Sequence, residues 1–340
     1  MKTLFFSAVF FVIIYIHCVE ATPLPQSTAD GLIFCCSDDD DDDVNKPGTV
    51  DRVVSSLGSK NRVRISQQKC LEYSAMFCPE PDEPTFGVIG GTTVTDPGAF
   101  PHIVALGWRL TDNSGFSWLC GGSLVSEFYV LTAAHCTFSR NAGLVSGRPE
   151  LVRLGELDFT KDDTELQDIQ IQSIIIHPEY MSPSKYHDIA LLRLATPAKL
   201  TDFVRPICLW QNETMEQTIA KAIGWGRTSL VGSGSVTLQS VDLSFFSNQQ
   251  CRESFGVTRT MKQGVIPQQL CAGYTDGGKD TCSGDSGGPL SINLPTNRLK
   301  DCIHHQVGIT SFGIGCGSTM PAVYTRVSQY LDWIERIIWP

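Results

Sequence analysis

GGSLVSEFYVLTAAHC, residues 121–136, puts the fold question first. Leu124 and Val125, then Tyr129, Val130 and Leu131, form two short apolar runs broken by Ser126 and Glu127. Each run is too short for a helix and rich in the branched and aromatic residues that fit a pleated sheet. The second run ends on His135 beside Cys136. Outward from this segment the same texture repeats: HIVALGWRL, LVRLGEL, DIQIQSIIIH, DIALLRL, KAIGWG, VDLSFF, HHQVGITSFG and AVYTRV, punctuated by Gly, Pro and Asn. So many strands without intervening helices predict an all-β barrel or sandwich. One exception closes the chain. In VSQYLDWIERII, Val327, Tyr330, Leu331, Ile334, Ile337 and Ile338 fall at helical spacing, which predicts an amphipathic helix docked on the sheets.

The first 87 residues differ in kind. Lys2 precedes the apolar run LFFSAVFFVIIYI, and Val19-Glu20-Ala21 offers small residues before a cut. Residues 1–21 read as a secretory signal peptide, the alternative being an uncleaved anchor. The run is too short and too near the terminus for a membrane span. Residues 22–87 are polar and read as a linker or pro-segment, and residues 88–340 as the main domain. The net charge is −10 over 340 residues, and six of the acids are the run Asp38 to Asp43. Such a run cannot fold on itself and reads as a solvated tail, with a calcium or basic-partner role as the alternative. An acidic chain with no basic stripe excludes nucleic acid as the expected partner. Of 13 cysteines, Cys18 leaves with the signal. The remaining even number, in a secreted chain, predicts disulfides, and no Cys/His spacing suits zinc.

Three segments carry candidate chemistry. LTAAHC holds His135, YHDIALLRL holds Asp188 at the start of a strand, and DTCSGDSGGPL holds Ser286 in a glycine-rich loop. A lone histidine is more often structural, and a lone Gly-Ser loop is usually a turn. In the order His, Asp, Ser within a secreted, disulfide-bonded β-protein, they are specific. A serine hydroxyl needs an adjacent base to act as a nucleophile. His135 can serve as that base, with Asp188 holding its tautomer. Gly284 lets the backbone turn so that the N–H groups of Gly284 and Ser286 face an oxyanion.

On the motifs VIGG, TAAHC, HDIALLRL, GWG, GDSGGP, SFG and PAVYTRV, the chain resembles the trypsin-like serine proteases over residues 88–340. That resemblance implies two packed six-stranded antiparallel β-barrels with a C-terminal helix and the site between them. It implies the catalytic roles just given for His135, Asp188 and Ser286. It implies hydrolysis of protein substrates, and Asp280 at the base of the specificity pocket would select Arg or Lys, the alternative being a surface aspartate. Ser311 and Gly313 would bind substrate backbone. Ala322 stands where the family usually has glycine, so one methyl crowds that pocket. A cut after Gly87 would free Val88 to pair with Asp285, and Gly87 is no trypsin site, so an external activating protease is implied. Protease inhibitors are further expected partners, and no cofactor is required.

The resemblance also implies disulfides Cys120–Cys136, Cys251–Cys271 and Cys282–Cys316. Cys70 and Cys78 lie before the cut, Cys208 and Cys302 after it. Assigned by nearness to the cut, the expected tethers are Cys78–Cys208 and Cys70–Cys302. These features resemble the Snake-like branch of arthropod clip-domain proteases, with Cys35 and Cys36 as the remnant of a lost or truncated clip domain. Such proteins are extracellular zymogens of haemolymph cascades; a venom component is equally open, and a catalytically inactive homologue acting as a binding cofactor is the alternative class. In the loop GELDFTKDDTELQD, Glu156 and Glu165 are candidate calcium ligands, against a merely solvated acidic loop. Asn212 opens a glycosylation sequon.

Overall fold

The computed structural model describes residues 63–77, 92–96, 98–161, 165–214, 217–226, 234–274, 284–293, 304–313 and 320–340. All of them lie in one unit, Arg62–Pro340. In chain order the elements are helix α1 (Ile65–Phe77) and strands β1 (Thr92–Thr93), β2 (Ile103–Arg109), β3 (Phe116–Ser126), β4 (Tyr129–Thr132), β5 (Leu151–Leu154), β6 (Gln167–Ile176) and β7 (Ala190–Leu194). There follow β8 (Cys208–Leu209), β9 (Ile219–Gly224), β10 (Gln239–Phe246), helix α2 (Asn248–Phe255), β11 (Gln269–Gly273), β12 (Pro289–Asn293), β13 (His304–Phe312), β14 (Ala322–Arg326) and helix α3 (Leu331–Ile338).

The strands form two closed six-stranded antiparallel barrels, as the family resemblance implies. The first runs β2-β3-β4-β7-β6-β5. The second runs β9-β10-β11-β14-β13-β12 and closes through β10 against β9, with β1 and β8 added at β10 and β13. Strand β2 is buried on both faces for a physical reason. Val104, Leu106 and Trp108 fill the first barrel, while Ile103 and Ala105 pack with Ile223 and Trp225 from the other. Closing a barrel leaves no open sheet edge, and packing two together buries outer faces that a lone barrel would show to water.

The closing helix begins later than its periodicity suggests. Val327–Tyr330 is a 3₁₀ turn, and α3 follows it. Val327, Tyr330, Leu331, Ile334 and Ile338 join the core of the first barrel, although the helix follows the last strand of the second.

One element was not expected. Within the segment read as a linker or pro-segment, Ile65–Phe77 is helical. Its contacts with the rest of the unit are largely polar and covalent. Arg64 pairs with both Asp332 and Glu335, Ser66 Oγ donates to Glu335, and the Tyr73 hydroxyl donates to Glu127 at 2.8 Å. Cys70 is bonded to Cys208, with Cα atoms 5.1 Å apart. This overturns both expected tethers, Cys78–Cys208 and Cys70–Cys302. Nearness along the chain is not what decides the pairing. The helix lies against β8, which is itself pinned beside β13 by the pairing His305↔Cys208, so Cys70 meets Cys208. Cys78 and Cys302 lie outside the described residues.

Candidate active site

Strand β4 ends at Thr132, and a 3₁₀ turn, Ala134–Thr137, presents His135. The disulfide Cys120–Cys136 ties that turn to β3. Because Thr132 pairs with Ala190, the residues just before β7 arrive beside the turn. Asp188 is one of them, and it is only 2% exposed. Its carboxylate accepts the His135 backbone N–H at 2.9 Å and the ring Nδ1–H at 2.8 Å. The Ser311 hydroxyl of β13 donates to the same carboxylate, across the barrel boundary. Burial pushes the Asp188 carboxyl up, but the charge of His135 and these donors outweigh it and hold it below the usual carboxylate range. The Thr325 hydroxyl fixes the Asp188 carbonyl at 2.8 Å.

Ser286 sits on a loop cross-tied by backbone. Its carbonyl accepts the Gly121 N–H at 2.8 Å, and the Gly287 N–H donates to Thr310 at 2.9 Å. Gly284 has φ +108° and Gly287 φ +78°. A Cβ on Gly287 would lie 2.2 Å from Thr132 Oγ1 and 2.6 Å from the Gly121 carbonyl, so glycine is required there. The GWG motif has a matching reason. The Gly226 N–H donates to Asp285 Oδ1 at 2.8 Å, and a Cβ on Gly224 or Gly226 would come within 2.2 Å of that carboxylate. His135, Gly284, Ser286, Trp118, Phe138 and Trp225 line one cleft of about 450 Å³. An ionised, enclosed acid oriented on an imidazole, beside a serine on a tightly turned loop, can perform nucleophilic acyl transfer.

The profile of the family described as Trypsin matches residues 89–334. The chain belongs to the trypsin family of serine proteases. It is 44% identical over 292 residues to Serine protease snk of Drosophila melanogaster, covering 81% of this chain and 65% of that protein. It is 38% identical over 263 residues to Serine protease Hayan of the same fly, covering 75% of this chain and 40% of that protein. To Venom serine protease Bi-VSP of Bombus ignitus it is 40% identical over 255 residues, covering 72% and 66%. The chain thus spans less than two thirds of the first two relatives.

Other residues expected to matter in a trypsin-family chain are placed as follows. Ser311 is in β13, and Gly313 follows it. Ala322 opens β14, 1% exposed and paired with Ala272. Cys251 and Cys271 are bonded, joining α2 to β11. Asn212 is exposed. Asp280, Gly87, Val88, Cys282 and Cys316 lie outside the described residues. Of the two candidate calcium ligands, Glu165 is partly exposed. Glu156 is buried and its carboxylate lies 3.3 Å from the Arg153 guanidinium, a fixed cation. Among the described residues, Glu156 and Glu165 belong to no cluster with metal-ligand spacing. Two features of the site are not legible in the sequence. The Ser311 hydroxyl reaches Asp188, and Phe159 stacks on Trp118 at 5.4 Å between centroids and meets Trp225 at 5.3 Å with its plane tilted by 50°. The SFG motif marks Ser311, but only as part of the strand expected to bind substrate backbone.

Proposed function

We propose that this chain is the zymogen of a secreted serine endopeptidase that cuts proteins after Arg or Lys. The observation that carries the reading is the enclosed Asp188 carboxylate 2.8 Å from His135 Nδ1. In the reaction, Ser286 Oγ attacks the scissile carbonyl and His135 Nε2 takes its proton. The same imidazole then returns the proton to the leaving amine, and water repeats the sequence on the acyl-enzyme. Asp188 stays ionised and balances the imidazolium. The N–H groups of Gly284 and Ser286 receive the oxyanion, each worth about 2.7–4 kcal/mol of barrier. Asp280 selects the cation before the scissile bond, and Ala322 narrows its pocket. Similarity to Serine protease snk supports the chemistry, and similarity to the Bombus ignitus venom serine protease supports secretion. The domains are a signal at 1–21, a light chain at 22–87 and a catalytic domain at 88–340.

A fluorophosphonate probe tests the chemistry on protein cut before Val88. Labelling confined to Ser286, and absent in Ser286→Ala, is expected. A cut chain that stays unlabelled while binding substrate-like peptides would mark an inactive homologue. A peptide-library profile tests the pocket: Asp280→Ser should abolish cleavage after Arg and Lys, and an unchanged profile would remove Asp280 from it.

A further inference from the structure

Among the described residues, three groups of His, Cys, Asp or Glu side chains bring ligand atoms within 4.8 Å of one another. Two of them, Cys70 with Cys208 and His305, and Cys120 with His135 and Cys136, contain disulfide sulfurs. Those sulfurs are bonded to each other and supply no thiolate. The third group is His177, Glu179 and His187. It uses no disulfide sulfur and none of the groups assigned to peptide hydrolysis.

The backbone brings this group together. His177 follows β6, His187 precedes Asp188, and the His177 N–H donates to the Ile189 carbonyl at 3.1 Å. The two imidazoles lie nearly parallel, 10° between planes and 5.3 Å between centroids. His187 Nδ1 is 3.4 Å from Glu179 Oε2. Two ligand atoms at about 2.0–2.1 Å from a tetrahedral zinc ion stand about 3.3 Å apart. The Glu179 N–H donates to His177 Nδ1 at 3.3 Å, so ligation through that nitrogen replaces this hydrogen bond. His187 Nδ1 also lies 3.1 Å from the Tyr330 hydroxyl, and its lone pair would repel the Glu179 carboxylate unless a positive charge lies between them. Either a proton or a metal ion satisfies it. Trp333 and Tyr330 pack edge-on against His177 at 5.1 and 5.2 Å and limit its movement. The Glu179 side chain is 67% exposed, which leaves an ion a path from solvent.

We propose that His177, Glu179 and His187 form a site for a divalent transition-metal ion of the zinc class. Two imidazole nitrogens and one carboxylate suit zinc, whereas calcium and magnesium take oxygen ligands. The remaining coordination position faces water. The site lies one residue from Asp188, so the ion braces the segment that delivers that carboxylate. Closing it requires the His177 ring to swing toward the other two ligands, a side-chain motion that leaves the backbone in place.

The test uses the full uncut chain and zinc chloride alone, and does not depend on proteolysis. His135→Ala is introduced throughout to remove the other partly exposed imidazole paired with a carboxylate among the described residues. Calorimetric titration is expected to give one zinc per chain, with a rise in Tm as zinc is added. His177→Gln and Glu179→Gln should each weaken that binding at least about tenfold, since each removes one of three protein ligands. Glu179 is exposed, so its variant tests the site even if His177→Gln folds poorly. No binding at millimolar zinc, or equal affinity in parent and Glu179→Gln, would overturn the proposal.

Discussion

A carboxylate as enclosed as Asp188 stays ionised only if donors replace the water it has lost. Two come from His135, 53 positions away in sequence, and one from Ser311, 123 positions away. Removing the Ser311 hydroxyl leaves a buried charge short of a partner, at a cost of about 1–3 kcal/mol. The sign of the pH effect follows from the depressed folded pKa. The ionised group stabilises the fold above the ordinary carboxylate range, and that contribution is lost as pH falls through the folded value. Ser311→Ala should therefore begin acid unfolding at a higher pH than the parent, read as Tm against pH by circular dichroism. Coincident acid limbs would remove Ser311 from this account. Gly226 poses a steric question. A methyl there meets both Asp285 oxygens, at 2.2 and 2.6 Å, and must displace the loop that carries Ser286. Gly226→Ala should cut fluorophosphonate labelling of the activated protein about 100-fold, since misplacement of about 1 Å costs that much. Labelling at the parental rate would show that the loop tolerates the shift.

At the scale of elements, legibility follows how each piece is stabilised. The barrel strands were readable because apolar side chains alternate or cluster where sheets bury them. Helix α1 was not, because it buries Ser66, Tyr73 and Ser74 through hydrogen bonds, a disulfide and ion pairs, and none of these leaves a periodic trace. The tether was misassigned for the same reason: Cys70 reaches Cys208 through the helix register, which sequence distance does not encode. Isolated helices shorter than about 12–15 residues are marginal in water. After a cut before Val88, the Cys70–Cys208 bond is therefore expected to keep Ile65–Phe77 attached. On a non-reducing gel the cut parent should run as one species, and cut Cys70→Ser should lose a light fragment on gel filtration. Co-elution of that fragment with the barrels under reducing conditions, which exclude a second bond through Cys78, would mean that the polar contacts of Arg64 and Tyr73 suffice.

Over the whole molecule, two fully enclosed histidines set an acid limit. Burial pushes His304 down to about 4 and His102 well below the ordinary imidazole value. Both are neutral when folded and protonate readily when unfolded. Their contribution is complete above about pH 6.5 and is lost as pH falls toward 4. His304→Gln, which can still donate to the Ala99 carbonyl, should flatten the fall in stability over that window in urea titrations. An undiminished slope would point to other groups.

Activation also belongs to this scale, because it would join distant parts of the chain, Val88 and Asp285. In the uncut chain the Asp285 carboxylate accepts the Gly226 N–H at 2.8 Å. A new α-ammonium at Val88 would be a full charge, and burying either charge alone is costly, so the pair forms together. On this expectation Val88 and Ile89 would supply the apolar body that enters the barrel, and Gly90 and Gly91 the turn. Gly87 before the cut excludes self-activation by an enzyme that requires Arg or Lys. The expected active form therefore begins Val-Ile-Gly-Gly by Edman sequencing and appears only after an added protease. Asp285→Asn, cut at the same bond, should keep its barrels by circular dichroism yet label with the probe no faster than the uncut chain. Labelling of uncut parent at the cut rate, or an active chain that starts elsewhere, would detach VIGG from activation.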